Sequence, residues 1–285
     1  MRDNRPKPEC CVTTCDQPLD EAFWDTRYRL NETGWDLGEV SPPLRAYIDT
    51  LSNKQVNILI PGCGNAYEAE YLVQAGFRNI TVLDISSEAV ARLQSRLGHM
   101  PVKIVHADFF EHTGVYDLIL EQTFFCAIPP ALRERYAVHT YSLLKPGGTL
   151  AGVLFDRTFD APGPPFGGHR DDYAELFEPF FHRKVFDTCH NSALPRRGTE
   201  IFIELVKKDL PPGAVRMFTI HGITCEGCKR EITHNFLKIP GVHAARINTA
   251  FNEVMIVCQP DIPDERLLDA VAHDSKYKLI PVKKV

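Results

Sequence analysis

Two small sets of residues in this 285-residue chain are spaced for chemistry. The first is the turn Pro61-Gly62-Cys63-Gly64, followed about twenty residues later by Asp84. Glycines in such a turn let the backbone pass close to a ligand. A carboxylate at a strand end can accept both hydroxyls of a ribose. The second set is Cys225-Glu226-Gly227-Cys228. Two thiolates on a loop at a helix N-terminus have lowered pKa values and suit a soft ion. A lone C-x-x-C could instead be redox-active.

The elements around the first set are legible. Asn57 to Ile60 is apolar and β-branched, which predicts a buried strand running into the glycine turn. Tyr67 to Ala75 predicts a helix that Gly76 stops, and Ile80 to Leu83 a second strand with Asp84 at its carboxyl end. In an open parallel sheet, ligands bind beyond the carboxyl ends of the strands. The third glycine of the dinucleotide pattern is replaced by Tyr67. That shorter turn suits a nucleoside without a pyrophosphate, of which S-adenosylmethionine is the commonest cofactor. The competing reading is a structural turn with a helix-capping Asp.

Upstream, Leu19 to Arg29 predicts a helix capped by Asp16, placing Trp24 and Tyr28 on one face, with Trp35 after the Gly34 turn. The rings are either ordinary core or a lid over a sulfonium cation, since aromatic faces attract cations. Downstream, Ser41–Leu51, Ser87–Leu97, Pro130–Leu144 and Asp171–Phe180 predict helices. Val102–Val105, Tyr116–Glu121, Thr149–Phe155 and Lys184–Asp187 predict strands, and the alternating Glu200–Val206 an edge strand. Lys145-Pro146-Gly147-Gly148 predicts a tight turn. Asp108 and Phe109 follow the third strand, where carboxylate and ring could hold an adenine, and Gln122 follows the fourth at the same edge. The Pro- and Gly-rich loop Asp156–Gly168 sits where substrate selection usually resides. Strands alternating with helices specify a doubly wound α/β sheet.

Composition bounds the rest. Hydrophobic content of 44% and charged content of 24% are those of a globular domain. Residues 1–18 read as a flexible tail carrying Cys10, Cys11 and Cys15. The absence of a spanning apolar run or a secretory h-region predicts a cytoplasmic protein that does not engage a membrane. Nine scattered cysteines then read as thiols or metal ligands rather than a disulfide frame. Of the net charge of −5, residues 1–208 carry −6 and residues 209–285 carry +1, so neither part offers a basic face for nucleic acid.

Pro211-Pro212-Gly213 marks a linker at 209–213, dividing a unit at 19–208 from one at 214–285. In the second unit, Val215–Ile220, Val242–Asn248, Glu253–Cys258 and Tyr277–Val282 predict strands, with helices at Lys229–Lys238 and Ile262–Ala272. The order βαββαβ is the split-βαβ, ferredoxin-like sandwich of the α+β class.

On FWDTRY, GW at 34–35, PGCG, LDIS, ADFF, FFCAI, LLKPGG and GPPF, residues 19–207 resemble the thiopurine S-methyltransferase family. They are most like its thiol and halide methyltransferase branch, the harmless-to-ozone-layer type. The resemblance implies a class I, Rossmann-like methyltransferase fold and S-adenosylmethionine as cofactor. It implies cofactor positions at Trp24, Tyr28, Trp35, Gly62, Asp84, Asp108, Phe109 and Gln122. Tyr28 stands where relatives often carry Trp, and Gln122 where the plant proteins carry Tyr. Residues 214–285 resemble heavy-metal-associated domains, with Ile223 in place of the usual Met. That implies Cys225 and Cys228 as ligands. Two-coordinate Cu(I) or Hg(II) is favoured over Zn(II), which takes four ligands.

The implied reaction is in-line methyl transfer to a small soft nucleophile: a thiol, sulfide, halide or thiopurine-like thiol. Such an anion needs no strong base, and no catalytic residue is assigned. Cys126 reads as a packed thiol rather than a nucleophile. The alternative makes the C-x-x-C unit the working part, in a metal or metalloid carrier or sensor that hands its ion to a partner protein. A third reading joins the two, with the second unit delivering a soft metal for methylation.

Overall fold

The structure, a computed structural model, describes residues 18–272 and 274–282. Cys10, Cys11, Cys15 and Asp16 lie outside the described residues. The first part of the chain runs α1 (Glu21–Leu30), α2 (Pro42–Thr50), β1 (Ile58–Pro61), α3 (Tyr67–Gln74), β2 (Ile80–Asp84), α4 (Ser87–Leu97), β3 (Val102–His106) and β4 (Tyr116–Gln122). It continues with α5 (Arg133–Leu143), β5 (Leu144–Phe155), α6 (Arg170–Phe177), β6 (Phe181–Thr188) and β7 (Glu200–Lys207). Among the described residues these strands form one seven-stranded sheet, ordered β3-β2-β1-β4-β5-β7-β6. Only β7 runs antiparallel to its neighbours, β5 and β6.

Strand alternation divides the core into two layers. Ile58, Ile60, Leu118 and Leu120 pack against Leu44 and Ile48 of α2, Leu72 of α3 and Leu93 of α4. Leu59, Ile119 and Leu150 face the other way, onto Tyr136 and Ala137 of α5 and Leu176 and Phe177 of α6. Each such buried aliphatic chain contributes roughly 1.5–3 kcal/mol.

The second part comprises β8 (Val215–His221), α7 (Glu226–Leu237), β9 (Val242–Ile247), β10 (Glu253–Cys258), α8 (Asp264–Asp269) and β11 (Lys278–Pro281). Its antiparallel sheet, ordered β11-β8-β10-β9, is the expected ferredoxin-like arrangement. One face packs on α7 and α8 through Phe218, Ile232, Phe236, Val254, Ile256 and Leu267. The other face, through Met217, Met255 and Val257, joins the same core as α5 and α6. Every residue of β10 is therefore buried.

Several sequence expectations are corrected. Asp20, not Asp16, caps α1, its carboxylate accepting the Phe23 N–H at 3.0 Å. Strand β7 is interior rather than an edge, and β6 is the edge. The alternation that suggested an edge reflects two different packed faces: Ile201, Ile203 and Leu205 toward α5 and α6, Phe202 toward Tyr47 of α2. The Lys145–Gly148 turn lies within β5 as a bulge, where Leu144 pairs with Tyr116 and Thr149 with Leu118. Helix α7 starts at Glu226 rather than near Lys229, because the Cys225 sulfur caps it by accepting the Cys228 N–H at 3.4 Å. Helix α8 is shorter than expected and starts after Pro263, while β6 is longer, reaching from Phe181 to Thr188.

Candidate active site and metal loop

At the carboxyl edge of the large sheet, β1 ends in the glycine turn. Gly62 and Gly64 adopt φ of 53° and 51°, a region open to glycine. A Cβ on Gly62 would come within 2.2 Å of the Phe124 ring, so the turn and the β4 end fit only with glycine there. The parallel pairing of Pro61 with Leu83 brings the turn beside Asp84. The Asp84 carboxylate accepts the Gly64 N–H and the Ser86 N–H, both at 2.9 Å. Burial pushes this carboxyl above its ordinary range, opposed by those two donors. A carboxylate has about four acceptor sites. Two are used, which leaves others for the hydroxyls of a ribose.

Helix α1 supplies the roof. Its Asp25 is buried and accepts from the Ser86 and Ser87 hydroxyls at 2.6 and 2.7 Å and from the Glu88 N–H at 3.1 Å. Burial raises the Asp25 pKa, but these donors outweigh it and hold the carboxyl below its usual range. This clamp fixes α1 on the start of α4 and so places Trp24 and Tyr28. Trp35 meets both edge to face, with centroids 5.6 Å from Trp24 and 5.8 Å from Tyr28. Tyr28 is buried, and burial together with the Asp84 charge raises its pKa, so it stays a neutral phenol. The three rings form one cluster beside the acid.

These residues open onto a cavity of about 530 Å³, within the range of small-ligand pockets. Of the predicted site residues, Trp24, Tyr28, Trp35, Gly62, Asp84, Asp108 and Phe109 line it. Asp108 is exposed and accepts the Phe110 N–H at 2.9 Å, while Phe109 is buried between Tyr136 and His139. Gln122 ends β4 at the same edge but is not part of the lining; Thr123 and Phe124 are. Thr123 takes φ of 60° and turns the chain there.

The rest of the lining includes Cys126, Pro129, Leu132, Phe155, Arg157 and Arg196. Arg196 is buried, donates to the Trp35 carbonyl at 2.5 Å and lies 3.7 Å from the Glu200 carboxylate. Arg133 donates to the Gly167 carbonyl at 2.8 Å and packs over Phe125, tying α5 to the Pro-rich loop. Glu121 is fully buried, accepting the Phe124 and Phe125 N–H groups at 2.8 Å and the Tyr136 hydroxyl at 2.7 Å. Burial raises its pKa to about 7. The reading from sequence missed Glu121, Arg133, Arg196 and Asp25. An acid inside the apolar run of β4 was the available signal for Glu121; nothing local marked Arg196.

In the second unit, Cys225 is exposed and Cys228 half-buried, and their sulfurs lie 3.1 Å apart. The Cys225 sulfur and the Tyr277 hydroxyl bring the Cys228 pKa down to about 7. Among the described residues no third Cys, His, Asp or Glu joins them in a metal-sized cluster. The donor set fits a soft ion of low coordination number. Ile223, which replaces the usual Met, is buried in the core behind the loop.

The sheet order and the cavity at its carboxyl edge define a class I methyltransferase fold. Solved structures agree. That of Burkholderia thailandensis 1,6-didemethyltoxoflavin-N1-methyltransferase superposes with TM-score 0.52 at 18% identity, over 66% of this chain and 87% of its own. A structure from the conversion of a disulfide bond into a thioacetal group in echinomycin biosynthesis gives TM-score 0.54 at 17% identity, over 66% and 93%. The family model for thiopurine S-methyltransferase matches residues 19–211, and that for the heavy-metal-associated domain matches residues 217–278. The chain belongs to the thiopurine S-methyltransferase family and carries a heavy-metal-associated domain behind it. Thiocyanate methyltransferase 1 of Arabidopsis thaliana is 31% identical over 68% of this chain and 88% of its own length. The thiopurine S-methyltransferase of Pseudomonas fluorescens is 30% identical over 56% and 82%. Among the described residues, no helix is long and apolar enough to cross a membrane.

Proposed function

We propose that the chain methylates a small soft nucleophile, with a thiol, hydrosulfide, thiocyanate or halide as acceptor. One observation carries this: the buried Asp84, beside the glycine turn and under three converging rings, faces a cavity with a largely apolar lining. In this reading Asp84 holds the ribose of S-adenosylmethionine, Asp108 and Phe109 the base, and Trp24, Tyr28 and Trp35 its sulfonium end. Gly62 lets the backbone close on the ligand. Gln122, at the end of β4, keeps a buried Oε1 without a hydrogen-bond partner among the described residues and remains a candidate cofactor contact.

Bound there, S-adenosylmethionine supplies an activated methyl group open to in-line attack. The chain aligns the acceptor, excludes water and needs no general base, because the acceptor arrives as an anion. Arg157 gives the cavity a positive charge that draws anions in, while the Arg196 charge is met by Glu200. Proximity and desolvation supply the rate. Titration of S-adenosylmethionine by calorimetry, then transfer of labelled methyl to thiocyanate, thiols, hydrosulfide and iodide, tests the reading. Absence of binding heat sinks it.

For the second unit we propose Cu(I) or Hg(II) as the ion, held by Cys225 and Cys228. Their exposure and the lowered Cys228 pKa support exchange with a partner metal-transfer protein. The described cysteines are free thiols, which supports a reducing, cytoplasmic setting. We place the boundary between the units at 209–213. A metal carrier or sensor is the second reading, favoured by that accessible thiol pair. Its test is whether cells lacking both thiols lose metal tolerance.

A further inference from the structure

The second unit does more than hang from a linker. Its hairpin between β9 and β10 presses on the first turn of α5. Asn248 is 1% exposed and donates from Nδ2 to the Ala131 carbonyl at 3.0 Å. The same amide accepts the Asn252 and Glu253 N–H groups at 3.1 and 3.2 Å, so it cannot swing away. Arg246 reaches Glu134 at 3.7 Å and Glu175 at 3.2 Å, and Arg135 pairs with the nearly buried Glu253. Burial raises the Glu134 pKa, and the Arg246 charge opposes that rise.

The segment gripped this way helps shape the cavity. Ala131 sits in the turn Pro130–Leu132, and Pro129 and Leu132 line the cavity on either side of it. The next residue, Arg133, anchors the Pro-rich loop through the Gly167 carbonyl. Met217, Met255 and Val257 complete the packing from the second sheet.

We propose that the metal-binding domain braces the methyl-transfer site: Asn248, Arg246 and Glu253 position the turn before α5 and its first turn, and through them the acceptor end of the cavity. This rests on the reading of that cavity as the methyl-transfer site. Asn248, Arg246 and Glu253 are positioning residues, since none of them lines the cavity.

The test uses the full-length protein. Asn248→Ala and Glu253→Arg should each raise the acceptor KM about tenfold, with S-adenosylmethionine affinity by calorimetry within about twofold of wild type. Pairing Glu253→Arg with Arg135→Glu should restore most of the loss, because the ion pair is rebuilt in reverse. Asn235→Ala, which removes a bond from Asn235 to the Ala270 carbonyl inside the same domain, should leave the acceptor KM unchanged. Denaturation curves on each variant separate lost stability from lost positioning. An unchanged acceptor KM in both interface variants overturns the proposal, as does equal weakening of cofactor and acceptor. So does a reversed pair that rescues nothing. A failure of the underlying reading looks different, since the wild type itself then binds no S-adenosylmethionine.

Discussion

The cavity of the first unit and the thiol loop of the second put the same side chain to opposite use. Cys126 lines the cavity, and burial pushes its thiol up to about 12. Cys228 lies half-buried at the start of α7, and the Cys225 sulfur and Tyr277 hydroxyl bring its thiol down to about 7. One thiol is held inert, the other is ready to ionise and ligate. The difference follows from what each site handles. Methyl transfer profits from a dry enclosure with fixed walls, whereas a metal ion must be able to reach its ligands.

The contrast can be broken in several ways. Replacing Cys225 and Cys228 together by Ser should abolish soft-ion retention against a competing chelator, read by Cu(I) titration. Retained binding would move the metal site elsewhere. Asp84→Ala should weaken S-adenosylmethionine by about a hundredfold to ten-thousandfold, the worth of two hydrogen bonds to a charged group. Calorimetry checks it, and undiminished affinity would empty the cavity of its assigned ligand. Gly62→Ala should destabilise by about 1–3 kcal/mol, since its Cβ drives into Phe124; chemical denaturation reads this.

Glu121 gives a pH signature. Its ordinary pKa of 4.5 rises to about 7 in the fold. The folded state therefore holds an extra proton between those values, and this group makes stability fall as pH rises through that window. Glu121→Gln should remove that slope, gaining on wild type by on the order of 1–3 kcal/mol from acid to neutral pH. A parallel pair of stability curves would refute it. The smallest effect is expected at Cys126→Ala: kcat within about threefold, because transfer is direct and forms no cysteinyl intermediate. A hundredfold fall would make Cys126 a nucleophile and erase the contrast.

Much of this was readable in one dimension. The parallel strands, the glycine turn and Asp84 follow from apolar runs and spacing, because local geometry dictates both. The ring lid needed more. Trp24 and Tyr28 share a helix face by spacing alone, but only Asp25 gripping Ser86 and Ser87 carries that face over the acid. Glu121 was visible as an acid in an apolar strand, yet its three donors come from its own turn and from α5. Arg196 carried no local mark, since its place depends on the Trp35 carbonyl, 161 residues away in sequence.

Residue order alone determined the two units, the nucleoside-binding edge of the large sheet and the paired thiols. Each rests on a periodicity or a short spacing, and neighbours along the chain enforce those. Tertiary structure alone decided that Gln122 stays out of the cavity lining, that β7 lies inside the sheet, and that the second sheet seats its outer face on α5. Strand β10 is buried along its whole length, so both its faces are covered. What covers the second face depends on long-range packing, and there the free energy of burial chooses among surfaces that sequence spacing cannot rank.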